Sequence, residues 1–234
     1  MKSSNPYVIK KDPWSSHSQI LKWLDSIPVK KKIIEVGVAE GILGKLDQNR
    51  DYQLIGIEIN EHWADQAKNY YDQIIVGDIQ TIDGTLFKDS DCVILADVLE
   101  HLPDPQSTLN RINDSIPSDS SIILSVPNVA NIWVRLNLLF GKFDYSERGI
   151  LDKTHLRFFT RSTFIRMIND ANLNLVDLKY TPIPLSLVNP FFSNNPIGSL
   201  IANLLNIITK LFPTLFSFQM MALCNKTQKR NDPV

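Results

Sequence analysis

Four acidic side chains fall where short β-branched runs end. Glu35 lies in the run Lys32 to Val36, Glu58 in Gln53 to Ile59, Asp78 just after Gln73 to Val76, and Asp97 closes Asp91 to Asp97. The first of them enters a glycine-bearing turn, Glu35-Val36-Gly37-Val38-Ala39-Glu40-Gly41, and Gly41 opens a helical stretch through Ile42, Leu43 and Leu46. Glycines at such a turn let the backbone bend sharply and approach a ligand closely. That property alone suits dinucleotides, other small ligands and an ordinary tight turn equally well. The carboxylates discriminate. A pyrophosphate is met by a helix N-terminus with an apolar residue in the place of Glu35, whereas a ligand carrying a sulfonium and an ammonium group is attracted by acids. Glu58 stands about 20 residues beyond the turn, where a carboxylate accepts from two ribose hydroxyls. Asp78, in Val76-Gly77-Asp78-Ile79, is placed to accept from an adenine amino group. Each acid singly is equally well explained as a solvated or helix-capping carboxylate; four at successive strand ends are much harder to dismiss.

Residues suited to proton chemistry come later. His101 follows the fourth strand in Leu99-Glu100-His101-Leu102-Pro103-Asp104. It is a candidate general base or acceptor-positioning residue, and equally a histidine that fastens its loop. Residues 127–160 form an insertion expected to lie over the site as a lid. Within it Val129, Ile132, Trp133, Leu136, Leu139 and Phe140 make an apolar stripe that argues for a packed helix ending at Gly141. Beyond it, polar residues alternate with aromatics, as in a substrate cover. His155, Arg157, Tyr145 and Arg135 are candidates to act on or bind the acceptor, the arginines being suited to a phosphate or carboxylate. The alternative for His155 and Arg157 is that they pin the lid to the domain.

The elements that must position these residues alternate strand and helix from Lys32 onward, the pattern of a parallel sheet covered on both faces. The fold expected is a doubly wound, Rossmann-like α/β domain with a mostly parallel seven-stranded sheet. Later strands are expected at Ser120 to Val126 and Leu173 to Tyr180, with a C-terminal antiparallel strand over Phe216 to Cys224. Helices are expected over Ser16 to Ile27, over Glu61 to Tyr71, after the cap Asp104-Pro105, and after Thr160. Ligands in such sheets bind beyond the carboxyl ends of the strands, where the strand order reverses. Residues 1–234 are read as a single domain.

A formal net charge of -1 removes the usual basis for a nucleic-acid partner; the short basic runs Lys30 to Lys32 and Lys226 to Arg230 read as solvated flanks. Cys92 and Cys224 lie in apolar runs without metal or redox spacing, as core thiols of a reducing cytosol do. Met1 to Lys11 has no apolar core of a secretory signal. A second, apolar insertion spans 185–213. Its segment Ile197 to Phe212 gathers Ser199, Asn203, Asn206 and Lys210 on one narrow helical face and is short for a membrane span. With Pro190-Phe191-Phe192 before it, it can rest on a membrane surface, cover a greasy substrate, form a dimer contact, or pack against its own domain. The plainest of these is packing, and the expected location is cytoplasmic, with membrane-peripheral contact as the alternative.

The combined motifs Ile34-Glu35-Val36-Gly37-Val38-Ala39-Glu40-Gly41, Ile57-Glu58, Gly77-Asp78-Ile79 and Asp97-Val98-Leu99-Glu100-His101-Leu102-Pro103-Asp104-Pro105 resemble the class I S-adenosylmethionine-dependent methyltransferases. The last string is characteristic of the branch holding ubiquinone-biosynthesis O-methyltransferases and enzymes of polysaccharide gene clusters. Pro127-Asn128 followed by Thr154-His155-Leu156-Arg157-Phe158-Phe159-Thr160 resembles a bacterial subgroup, which adds Asn128 to the substrate-binding candidates. The resemblance covers about Trp14 to Tyr180. It implies S-adenosylmethionine as cofactor, with Glu35, Gly37 and Gly41 around the methionine part, Glu58 at the ribose and Asp78 with Ile79 at the adenine; Ala39, Ile59 and Asp97 are further cofactor-binding candidates. Ala39 departs from it, since many members have glycine there. In the ubiquinone branch the places of Asp97, Glu100 and His101 are associated with a divalent metal, but Asp97 is a shorter acid than that pattern uses, so a metal is the minor alternative and no metal ligand is assigned. The activity implied is O-methylation of a sugar, polysaccharide or lipid-like phenolic hydroxyl on a small-molecule, sugar or lipid-linked acceptor. A non-catalytic cofactor-binding module is the rival from another class. A nicotinamide oxidoreductase is disfavoured by Glu35 and by the lack of a Tyr-x-x-x-Lys after the turn.

Overall fold

The computed structural model describes residues 13–28, 30–185, 189 and 191–227. Met1 to Lys11, Pro190 and the end of the C-terminal basic run at 228–230 lie outside them. Seven strands form one sheet: β1 Lys32–Val36, β2 Gln53–Glu58, β3 Gln73–Val76, β4 Cys92–Ala96, β5 Ser121–Pro127, β6 Leu173–Thr181 and β7 Gln219–Lys226. Their spatial order is β3-β2-β1-β4-β5-β7-β6. β7 runs antiparallel between β5 and β6, and the other neighbours are parallel. The order reverses between β1 and β4, so the turn after Val36 and the loop after Ala96 share the switch point.

The central strands are apolar on both faces because helices cover both. With a side-chain period of two, Ile34, Val36, Val93, Leu95, Ile122 and Leu124 feed one core, and Ile33, Leu54, Ile94 and Ile123 feed the other. Helices α4 (Pro105–Ser115) and α6 (Arg161–Asp170) close the first with Leu109, Ile112, Phe164 and Ile168. Helix α1 (Ser16–Ser26) closes the second with Ile20, Trp23 and Leu24, and the Trp23 indole donates to Asp177 Oδ2 at 3.0 Å. Both caps expected from sequence form: Asp104 accepts from the Ser107 amide at 3.0 Å, and Thr160 makes a reciprocal capping box with Thr163. Short helices α2 (Ile42–Leu46) and α3 (Glu61–Ala67) follow β1 and β2, and a 3₁₀ turn, Lys68–Tyr70, extends α3.

Two helices face the other way from the expected packing. Helix α5 (Ile132–Leu139), in the lid, buries only Val134. Its apolar stripe is open to solvent, with Trp133 67%, Leu139 76% and Phe140 75% exposed. Toward the C-terminus, α7 (Phe191–Asn194) and α8 (Pro196–Leu211) are followed by α9 (Pro213–Phe216), which delays β7 relative to the expected Phe216. On α8 the fully buried residues are Gly198 and Thr209, while Ile197, Leu200, Leu204, Ile207 and Leu211 are exposed. The reason is local. Gly198 lies so close to the Phe191 carbonyl that a Cβ there would collide with it, so the side of α8 that bears Gly198 packs against α7 and its greasy side lies open. Among the described residues no helix is long and apolar enough to cross a membrane.

Candidate functional site

The turn after β1 is built from left-handed backbone at Gly37 (φ 71°), Ala39 (φ 48°) and Gly41 (φ 80°). A Cβ on Gly37 would fall 2.8 Å from Val98 Cγ2, so glycine here lets the β4 loop close against the turn. Glu58 is buried and fastens the same turn from β2: its Oε2 accepts from the Ala39 amide at 2.8 Å and its Oε1 from the Asn60 amide at 2.9 Å. A carboxylate has about four lone-pair sites, so Glu58 keeps capacity for two hydroxyls. Ile59 beside it is 67% exposed and offers an open apolar surface.

Glu35 is buried at the base of the turn, where its Oε2 accepts from the Tyr71 hydroxyl. Burial pushes its carboxyl up to about 8; the Tyr71 hydrogen bond opposes the shift and the neighbouring Glu58 charge adds to it. An acid held neutral for want of a counter-charge fits the ammonium of S-adenosylmethionine. Nothing local in the sequence marks Tyr71, which follows the 3₁₀ turn after α3 and reaches Glu35 across 36 positions.

The adenine side differs in detail from expectation. Asp78 is half-buried and Oδ1 accepts from the Gln80 amide at 2.8 Å, so it caps its own turn and has its second oxygen left for a ligand or for the Gln80 side chain. Ile79 turns into the core at 5% exposure. Asp97 is in left-handed backbone (φ 55°); its Oδ1 accepts from the Ser125 hydroxyl at 2.8 Å and its Oδ2 from the Gln219 side-chain amide. It is thereby tied to β5 and β7 rather than aimed at the glycine turn.

The loop after β4 and the lid meet around the histidines. The amides of Leu156 and Arg157 both donate to the Glu100 carbonyl, at 2.8 and 2.9 Å. The His101 and His155 rings stand edge to face with centroids 4.8 Å apart. His155 is buried, His101 half-buried, and burial together with His155 lowers the pKa of His101. The Glu100 carboxyl is 1% exposed, neither oxygen has a hydrogen-bond partner, and desolvation raises it well above the ordinary carboxylate range. Phe143, Tyr145 and Phe158 form an aromatic cluster alongside His155.

The remaining substrate candidates divide. Tyr145 and Arg135 are exposed on the lid, Arg135 with Nε donating to the Ala130 carbonyl. Arg157 is exposed and its guanidinium donates to the Pro103 carbonyl, pinning the lid to the β4 loop. Asn128 is wholly buried, with its side-chain amide donating to the Thr214 carbonyl and to the carbonyl and hydroxyl of Ser217. Its side chain is consumed in fastening the lid to α9, which corrects its expected place among the acceptor-binding residues.

This sheet order, with a ligand turn and a second functional loop at one switch point, defines a Rossmann-like methyltransferase fold. A methyltransferase-domain family model matches residues 15–178, and the chain belongs to that family: it is a methyltransferase, with S-adenosylmethionine as methyl donor. Among solved structures it is similar to an S-adenosylmethionine-dependent methyltransferase from Archaeoglobus fulgidus (17% identity, 90% of this chain and 92% of that one covered, TM-score 0.63). It is similar also to magnesium protoporphyrin IX methyltransferase from Synechocystis PCC 6803 with bound S-adenosylhomocysteine (14%, 91% and 82%, 0.60). A third is a putative methyltransferase of Haloferax volcanii in complex with the Trm112 activator (15%, 91% and 90%, 0.59). A comparison with curated proteins finds no match.

Proposed function

We propose that this methyltransferase O-methylates a hydroxyl, of a sugar or a phenol, carried on a lipid-linked acceptor at a membrane surface. The observation that carries the reading is the outward apolar face of the lid helix α5 together with that of α8. The two faces are joined at one end: Asn131, the N-cap of α5, donates to the Ser217 carbonyl just after α9. Between Tyr180 and Asn225 the only charged residue is Lys210, and the lid helix carries Arg135 with Lys142 just beyond it and no acid. An apolar surface with only cations suits an anionic bilayer.

When bound, S-adenosylmethionine supplies a methyl group on a sulfonium leaving group. Glu35, once ionised, faces its ammonium, Glu58 its ribose hydroxyls, and Asp78 with Ile59 its adenine. Holding the partners in line is worth roughly 7–11 kcal/mol of the barrier. The acceptor hydroxyl gives its proton to His101, with His155 packed against that ring at 4.8 Å, a contribution on the order of 10²–10⁴. Phe143, Tyr145 and Phe158 wall the acceptor, and Arg135 takes an anionic group on it.

The test is co-flotation of the full chain with vesicles of three parts phosphatidylethanolamine to one part phosphatidylglycerol. The parent floats, and Leu200→Asp with Leu204→Asp stays in solution while still binding S-adenosylmethionine. A parent that ignores the vesicles, or that pairs with itself through this face in a concentration-dependent dimer, would overturn the lipid reading.

A further inference from the structure

We infer that Arg111, on α4, is a positioning residue for cofactor recognition: it holds the turn that reads the adenine edge. Its guanidinium reaches the loop after β3, where Nη1 donates to the Ile82 carbonyl and Nη2 to the Ile79 carbonyl. No motif contains Arg111, which lies 29 and 32 positions from these partners.

The other hydrogen bonds of this turn are internal to it. The Asp78 carbonyl accepts from the Thr81 and Ile82 amides at 2.9 and 3.0 Å and from the Thr81 hydroxyl at 3.1 Å. Asp78 Oδ1 accepts from the Gln80 amide at 2.8 Å. All of these bonds return to Asp78, so they shape the turn without fixing it to the domain. Helix α4 does the fixing. The Ile79 side chain lies in the core shared with Leu109 and Ile112, and Arg111 takes the two carbonyls. Gly84 permits the close approach, because a Cβ there would collide with the Ser115 hydroxyl, one helical turn beyond Arg111. Among the described residues no ion pair competes for the Arg111 guanidinium.

What the clamp positions is a pair of groups of opposite polarity. The Asp78 carboxylate accepts, and the neighbouring Ile79 amide donates to no group among the described residues. The Watson–Crick edge of adenine is the complement, an amino donor beside a ring-nitrogen acceptor. Hypoxanthine reverses both, with a carbonyl beside a ring N–H. The Ile79 carbonyl belongs to the next peptide along from that amide, so holding it restrains the direction in which the amide points. A planar fork bridging two carbonyls fixes orientation as well as position, which a single ammonium does not. The inference rests on the placement of adenine against Asp78 proposed above.

The test is isothermal titration of the full chain with S-adenosylhomocysteine and with S-inosylhomocysteine, its hypoxanthine counterpart. The parent should prefer the adenosyl compound by about 10- to 100-fold, the worth of one two-point base contact. Arg111→Met keeps the apolar stem and removes the fork. It should cut the preference roughly 10-fold, as for the loss of one well-placed hydrogen bond, chiefly by weakening the adenosyl compound. Arg111→Lys, which can keep one of the two bonds, should fall between. A general loosening of the fold weakens both ligands alike and leaves their ratio in place; that result overturns the inference, as do unchanged affinities. If Arg111→Met fails to fold, the ratio in Arg111→Lys decides. A parent that binds both compounds equally refutes the placement of adenine at Asp78, and the inference with it, whereas a selective parent with an equally selective Arg111→Met refutes the inference alone.

Discussion

On the proposed placement of the cofactor ammonium against Glu35, binding should release a proton, because the buried carboxyl must ionise to meet that charge. With its carboxyl pushed up to about 8 by burial, roughly 1% is ionised at pH 6 and roughly a quarter at pH 7.5. If the complex holds the ionised form, affinity for S-adenosylmethionine rises roughly 20-fold across that interval, with close to one proton released per cofactor at pH 6. Isothermal titration at pH 6.0 and 7.5, in buffers of different ionisation enthalpy, reads both quantities. In Glu35→Gln the pH dependence should flatten. The same group sets a stability slope in the free protein. Its folded pKa lies above the unfolded value near 4.5, so its contribution is complete below that value and is lost as pH rises through about 8. The loss is up to about 1.4 kcal/mol per pH unit, so the stabilisation by cofactor should grow over the same window. A parent Kd that is level between pH 6 and 7.5 with no proton release, or an equal slope in Glu35→Gln, would refute the reasoning.

Tyr71→Phe removes the hydrogen bond that holds the Glu35 carboxyl down; the binding profile should move to higher pH, with weaker affinity at pH 7 by the same titration. Ala39 pays for a left-handed backbone, so Ala39→Gly should raise the denaturant midpoint, by up to about 1 kcal/mol after the entropy of glycine is subtracted. Asn128→Ala strands the Thr214 carbonyl, while the Ser217 carbonyl keeps its bond from Asn131, and should cost about 1–3 kcal/mol in urea unfolding. Both cysteine thiols are buried and pushed to high pKa, so neither should react with a disulfide reagent at pH 8 until the protein unfolds.

The parts of the fold legible in sequence are those whose cause is local. The strand runs, the caps at Asp104 and Thr160, and the glycine turn each declare themselves within a few residues. Periodicity shows which side chains share a face of α5 or α8, but the direction of that face depends on what the helix meets. For α8 this is the Phe191 carbonyl at Gly198, so the stripe expected inside lies outside. The site was legible in part for the same reason. Glu35 and Glu58 announce themselves at strand ends, whereas the Tyr71–Glu35 bond and the His101–His155 contact join residues 36 and 54 positions apart, and no motif spells them. Asn128 was recognisable as part of a pattern, but only its bonds reveal that it fastens the lid.

The two amides that bind the Glu100 carbonyl belong to the lid, and the carboxyl of the same residue lies among the histidines. Backbone and side chain of Glu100 are thus the two ends of one lever. A displacement that lifts residues 156 and 157 must break those bonds or turn the peptide that carries the carboxyl. On the proposed reading, an acceptor that lifts this segment also disarranges the histidines beside Glu100, so oversized substrates should lose turnover before they lose affinity.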